Sequence, residues 1–228
     1  MRYATLQRRL PRWLRRHIFY FETLIEDEVA RVAAALPPGI RILDAGAGES
    51  RHRQCFPAQR YVAADLAVGD AAWNYGSLDA LCDLEALPFR NACFGAALNI
   101  VTLEHVRRPA EVLAEIGRVM ASGGRLLLIA PQDWEVHQAP HDYFRYTRYG
   151  LHDLLEHAGF VDIDIRPAGG FFRLLSRRLL NALQFFPGLW ILPAALVFAP
   201  PALVLPWLDS LDRAKDFTLG YTCTARKP

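Results

Sequence analysis

The chain has 228 residues, a formal net charge of +2, 52% hydrophobic and 22% charged residues. That is enough for one buried core with an appendage, and it excludes a disordered or strongly polyelectrolytic protein. Four cysteines (Cys55, Cys82, Cys93 and Cys223) lie without CxxC spacing, which argues against a zinc site or a disulfide framework and suits a reducing cytosol.

The first twenty residues carry Arg2, Arg8, Arg9, Arg12, Arg15 and Arg16 and no acid. These arginines are interleaved with Leu10, Trp13, Leu14, Ile18 and Phe19, so the segment does not read as a signal peptide. Apolar residues recur at helical spacing from 10 to 36, and Pro37-Pro38-Gly39 ends the run. Residues 1–38 are therefore expected to be a basic amphipathic helical segment. Ile40–Leu43 is a short apolar strand entering a glycine-rich turn. Tyr61–Leu66 and Phe94–Ile100 are expected strands. Pro109–Met120 is an expected helix stopped by Gly123-Gly124, with a buried strand at Arg125–Ala130. A helix over Tyr149–Ala158 ends at Gly159, and Val161–Ile165 and Phe217–Ala225 follow as strands. Strands alternating with helices imply an α/β fold, a doubly wound, mostly parallel sheet with helices on both faces.

The first chemical signal is the run Asp44-Ala45-Gly46-Ala47-Gly48-Glu49-Ser50 at the end of the first strand. Glycines there let a ligand approach the backbone without a Cβ in the way. The second is Asp65, at the end of the next strand, where a carboxylate accepts hydrogen bonds from both hydroxyls of a ribose. Gly-x-Gly-x-Ser lacks the third glycine of the dinucleotide fingerprint, which disfavours a nicotinamide-dependent oxidoreductase.

Further along come Asp83-Leu84-Glu85-Ala86-Leu87-Pro88-Phe89, Phe94-Gly95, Leu103-Glu104-His105-Val106, Glu115-Ile116-Gly117-Arg118-Val119-Met120 and Gly123-Gly124-Arg125-Leu126. In this order and spacing, across residues 40 to 166, the chain resembles the class I S-adenosylmethionine-dependent methyltransferase superfamily, the large group that includes the quinone-biosynthesis methyltransferases. The resemblance implies a seven-stranded Rossmann-like sheet with an antiparallel last strand and S-adenosyl-L-methionine as cofactor. It places the methionine moiety against Asp44, Gly46 and Gly48, the ribose on Asp65 beside Leu66, and the adenine between Asp83 and Leu84. Asn99 would meet the cofactor's amino group through its backbone carbonyl. Ser50, Gly95 and Ala121-Ser122 depart from the usual wording of these motifs, and none removes a carboxylate expected to touch the cofactor.

Candidate general bases for the methyl acceptor lie in two places. His105 follows the fourth strand, either as a base or as a packing residue at a helix start. The loop after the fifth strand carries His137, His141, Asp142, Tyr143, Arg145 and Thr147. It is long enough to act as a lid. His141, Asp142 and Arg145 are candidates for handling the acceptor; the alternative is that Asp142 and Arg145 staple the loop. Thr147 is expected to cap the next helix.

From Leu179 through Leu208 there is no charged residue. Pro187, Pro193, Pro200, Pro201 and Pro206 are expected to cut this stretch into pieces of about two turns or fewer, against a straight spanning helix. Residues 171–208 thus form an apolar insertion in a methyltransferase domain made of 39–170 and 209–228. Leaving the sheet at its carboxyl edge, preceded by Arg173, Arg177 and Arg178, the insertion matches a peripheral membrane element; packing on the domain or a dimer interface is the alternative. The resulting expectation is methylation of a small or lipid-like acceptor at the cytoplasmic face of a membrane. A non-catalytic cofactor-binding accessory subunit is the competing class. With no basic stripe interleaved with aromatics, nucleic acid is not expected as a substrate.

Overall fold

A computed structural model describes residues 11–70 and 72–228, apart from the side chain of Arg12. Arg2, Arg8, Arg9 and Leu10 lie outside the described residues. The chain divides into two compact units, Asp27–Arg166 with Tyr221–Pro228, and Met1–Glu26 with Pro167–Gly220.

The larger unit is built on a sheet with strand order β3-β2-β1-β4-β5-β7-β6. Its strands are β1 (Arg41–Ala45), β2 (Arg60–Asp65), β3 (Ala80–Leu81), β4 (Phe94–Ile100), β5 (Met120–Pro131), β6 (Val161–Pro167) and β7 (Gly220–Arg226). β1 through β5 pair in parallel. β7 is antiparallel to β5: the chain just past its end exchanges hydrogen bonds with the start of β5, Gly123 N–H to the Lys227 carbonyl at 2.8 Å and Lys227 N–H to that of Gly124 at 2.9 Å. In β1 and β4 nearly every residue is buried, as expected of parallel strands covered on both faces. On one face Leu43, Ala97, Leu128 and Cys223 pack with Val112, Leu113 and Ile116 of α3 (Pro109–Val119) and Leu151 and Leu155 of α4 (Arg148–His157). On the other, Val32, Ala35 and Leu36 of α2 (Tyr20–Ala35) and the residue after it border a cleft with Leu127 and Thr224. All four cysteines are free thiols.

Three boundaries differ from the sequence reading. The N-terminal helix is two helices, α1 (Arg12–Ile18) and α2, broken at Phe19, whose ring is buried. The glycine pair does not separate α3 from its strand: β5 opens at Met120 directly after the helix. Gly123 and Gly124 lie within an irregularity where Phe94 pairs with Met120 and Ala96 already pairs with Arg125. Thr147 does cap α4, its hydroxyl accepting the Gly150 N–H at 3.1 Å.

The smaller unit corrects the third expectation. After α5 (Phe171–Ala182), helix α6 (Ile191–Val204) continues through Pro200 and Pro201, and the helical run Gly188–Leu211 is long and apolar enough to cross a membrane. The prolines do not cut it. Pro193 sits in the first turn, where N–H groups have no intrahelical partner. The Pro200-Pro201 pair deletes two donors but holds φ near the helical value. The unit has its own polar framework. Asp209 accepts the N–H groups of Gly170 and Arg173 at 3.1 Å, and Asp212 accepts that of Phe171 at 2.8 Å, so two carboxylates cap the start of α5. The Ser176 hydroxyl donates to the Ala202 carbonyl, locking α5 against α6.

Asp209→Ala should leave those N–H groups unpaired at a cost of about 1–2 kcal/mol, a factor of roughly 5–30 in local opening. Hydrogen exchange at Gly170–Leu174 should accelerate by that factor while β4 and β5 remain protected.

Candidate active site

The site is assembled where β1, β2 and β4 end. Asp44 is buried, and its carboxylate accepts the Tyr61 hydroxyl. Burial raises the Asp44 carboxyl above the ordinary carboxylate range, against the opposing pull of His52 and of the Tyr61 hydrogen bond. Beyond it the chain turns through Gly46 at φ +89° and Gly48 at φ +51°, and Ser50 also holds a left-handed conformation at φ +56°. Ser50 therefore occupies the backbone state that a third glycine would favour. The turn is pinned on both sides. The Gly46 N–H donates to the Ala64 carbonyl at 2.8 Å and the Gly48 N–H to the Asp65 carboxylate at 2.9 Å. The Thr102 hydroxyl reaches the Gly46 carbonyl at 3.1 Å.

These contacts give the glycines a reason beyond the ligand space anticipated from sequence. A Cβ on Gly46 would lie 2.1 Å from the Thr102 methyl, and one on Gly48 would lie 3.1 Å from the Trp73 ring. Trp73 belongs to the loop after β2, which folds back over the turn. At Gly69 in the same loop, a Cβ would meet Gln138 of the post-β5 loop at 3.1 Å. The loops after β1, β2, β4 and β5 thus converge on one place.

The expected cofactor residues differ in what they present. Asp65 accepts from Gly48 and also from the Ala67 N–H at 2.7 Å, and each oxygen has a further lone pair. Leu66 is exposed. Asp83 is exposed and accepts the Glu85 N–H at 3.0 Å, whereas Leu84 is buried in the core. Asn99 is fully buried, its amide donating to the Ala45 carbonyl at 2.9 Å while its Oδ1 has no partner among the described residues.

The loop after β5 is bound to the turn after β4. Tyr143 N–H donates to the Glu104 carbonyl at 2.9 Å and the Tyr146 hydroxyl to that of Leu103 at 2.8 Å. Asp142 and Arg145 form a two-pronged ion pair at 2.6 and 2.8 Å. Arg145 also donates to the carbonyls of Trp134, Glu135 and Phe144, and Asp142 accepts the His137 N–H at 2.9 Å. The Arg145 guanidinium holds the Asp142 carboxyl at about 2. In this arrangement the pair staples the loop. The His141 imidazole meets the Tyr143 hydroxyl at 3.0 Å.

His105 is not at a helix start: Arg108 precedes α3. Its ring lies against His137, the two Nε2 atoms 3.1 Å apart, with Glu104 Oε1 at 3.8 Å from each. Glu104 is fully buried, and burial pushes its carboxyl up to about 8. Burial also lowers His105 below the usual histidine range. Sequence reasoning had placed Glu104 only in a motif and His137 only in a string; neither stood as a site residue, because nothing in their spacing shows that the two loops meet.

Residues 43–128 match the methyltransferase domain family. The chain is 30% identical over 135 residues to a malonyl-[acyl-carrier protein] O-methyltransferase of Herminiimonas arsenicoxydans, covering 54% of this chain and 50% of that protein. It is 29% identical over 127 residues to a ubiquinone/menaquinone biosynthesis C-methyltransferase of Ralstonia pickettii, covering 50% and 52%. The chain thus spans about half the length of the curated relatives it matches. Among solved structures, a SAM-dependent methyltransferase from Archaeoglobus fulgidus superimposes with a TM-score of 0.60 over 90% of this chain and 94% of that one, at 14% identity, a likeness of fold.

Because the Asp142–Arg145 pair closes one network, Asp142→Ala and Arg145→Ala should each destabilise the larger unit by about 1–3 kcal/mol, and the double variant by little more than either. Chemical denaturation of the three variants checks this; additive losses would show that the two residues act separately.

Proposed function

We propose that the chain is a class I S-adenosylmethionine-dependent methyltransferase that transfers the methyl group of S-adenosylmethionine to a small-molecule acceptor, a reading supported by the methyltransferase-domain match over residues 43–128. The observation that carries the reading is the doubly pinned turn Gly46–Gly48 with the Asp65 carboxylate beside it. The glycines let Thr102 and Trp73 close against the turn, and Asp65 keeps lone pairs for the ribose hydroxyls. Asp83 and the backbone at Leu84 would border the adenine, and the backbone at Asn99 the amino group. S-adenosylmethionine supplies a methyl group activated on a sulfonium; the protein's share is alignment and exclusion of water. Trp73 over Gly48 and the stapled post-β5 loop are placed to cover a bound cofactor.

The finer reading is that the acceptor is lipid-like and that the chain works at the cytoplasmic face of a membrane. The run Gly188–Leu211 supports it: its most apolar 18-residue window has a mean hydropathy of 2.0 and is only 11% buried. Leu189, Trp190, Leu196, Val197 and Trp207 are all more than 60% exposed. A single crossing is ruled out by topology, since the chain enters the insertion from β6 and leaves it into β7, which are neighbours in one sheet. In this reading the run would touch the membrane peripherally, within one leaflet. Burying these five side chains at ~1.5 kcal/mol each exceeds the marginal hold of one myristoyl chain.

Two experiments test the reading. Asp65→Ala should weaken S-adenosylmethionine binding about 10- to 150-fold by calorimetry, the loss of about 1.5–3 kcal/mol of charged hydrogen bonding; affinity unchanged within twofold removes Asp65 from the site. Wild-type protein should float with anionic liposomes, and the triple variant Trp190→Ser, Leu196→Ser, Trp207→Ser should remain in the soluble fraction. If wild type stays soluble as well, the run is a packing or subunit surface.

A further inference from the structure

Two imidazoles facing each other through Nε2 need something between them. His105 Nδ1 lies 2.5 Å from the His141 carbonyl oxygen, and His137 Nδ1 lies 3.1 Å from that of Glu135. A carbonyl oxygen accepts and never donates, so each Nδ1 carries the ring's proton. In neutral rings both Nε2 atoms are then lone-pair acceptors. At 3.1 Å they cannot bond each other. The third member, Glu104, adds more electron density: its carboxylate is fully buried, its Oε1 is 3.8 Å from each Nε2, and neither oxygen meets a donor from any other described residue. Two Nε2 atoms and a buried carboxyl thus converge with no hydrogen bond joining the carboxyl to either ring, an arrangement that costs free energy unless a cation joins them.

We propose that Glu104, His105 and His137 form a binding site for a divalent transition-metal ion of the zinc type, in which the three side chains are ligands and further coordination positions stay open. The metric fits. A point equidistant from the two Nε2 atoms and Oε1 lies about 2.1 Å from each, against bond lengths of about 2.0–2.1 Å for Zn–N and about 2.0–2.2 Å for Zn–O. Two histidines and one carboxylate are a ligand set of catalytic rather than closed structural sites, and they suit zinc, iron or cobalt over magnesium or calcium. The outer contacts fit as well. Ligating histidines characteristically donate their other ring N–H to a backbone carbonyl, and both do so here. The Asp142–Arg145 staple, through the His137 N–H, fixes the second loop in register with the first. The ligands come from positions 32 residues apart in two loops, and none is a cysteine, so the scattered thiols said nothing about this site.

The site follows Thr102, which touches Gly46, by two residues. Under the methyl-transfer reading, on which this one extension rests, the open positions would take an acceptor through an oxygen atom. Metal binding itself does not depend on that reading.

The test uses the whole chain, freed of metal by a chelator and then titrated with Zn²⁺ by calorimetry and with Co²⁺ by visible absorption. One ion should bind per chain, with Co²⁺ giving the ligand-field bands of a nitrogen- and oxygen-ligated site. His105→Ala, His137→Ala and Glu104→Gln should each lose more than about 100-fold in affinity, beyond the 10- to 100-fold typical of an outer-sphere partner. His157→Ala, on the exposed face of α4, should bind as wild type does. Folding of every variant is checked by circular dichroism, and the Co²⁺ spectrum of the wild type decides the matter without any variant. The proposal is overturned if the wild type binds no ion, if the three ligand variants bind as tightly as His157→Ala does, or if proton resonances show the two rings sharing one proton in metal-saturated buffer. S-adenosylmethionine calorimetry on the metal-free protein is run in parallel: binding of the ion without the cofactor sinks the methyl-transfer reading and leaves the metal site standing, and the reverse result does the opposite.

Discussion

The structure depends on how the central strands are ended. β1 and β4 are buried along almost their whole length, so their last carbonyls cannot turn to water and must find partners within the protein. They find them in side chains at and just past the end of β4: Asn99 donates to the Ala45 carbonyl, and the Thr102 hydroxyl is shared between those of Gly46 and Ile100. Those same bonds hold the backbone of the first turn open and position the residues after β4. The open turn after β1 is therefore a by-product of satisfying buried backbone, at the carboxyl edge where ligands in open α/β sheets bind.

That constraint passes outward from loop to loop. Once the turn after β4 is fixed, the carbonyls of Leu103 and Glu104 become anchors for Tyr146, Tyr143 and Phe144 of the post-β5 loop. The Asp142–Arg145 pair then gathers four further backbone groups of that loop, including the His137 N–H. A segment without helix or strand is thus held by side-chain hydrogen bonds to its backbone. The cost is carried at Glu104, a carboxylate placed where neither water nor a donor from another residue reaches it.

The smaller unit follows a different logic. Its polar residues are spent inside it, on Asp209 and Asp212 at the start of α5 and on Ser176 against α6, while its large apolar side chains face outward. The prolines at 193, 200 and 201 sit in a helix that remains intact, so in this unit the absence of charge is a stronger structural signal than the presence of proline.

Much of this was legible in the residues. β4 runs over Phe94–Ile100 as its apolar pattern indicates, Thr147 caps α4, and the order of motifs across residues 40 to 166 carries the sheet and the nature of its ligand, because strand periodicity, turn glycines and caps are written in neighbouring positions. Continuous helix through Pro200-Pro201, Leu84 turned into the core, the stapling role of Asp142 and Arg145, and the meeting of Glu104 and His105 with His137 were decided only by the tertiary structure. Each depends on which distant surface a side chain meets once the sheet has assembled, and a single sequence records the identity of those side chains but not their distance from one another.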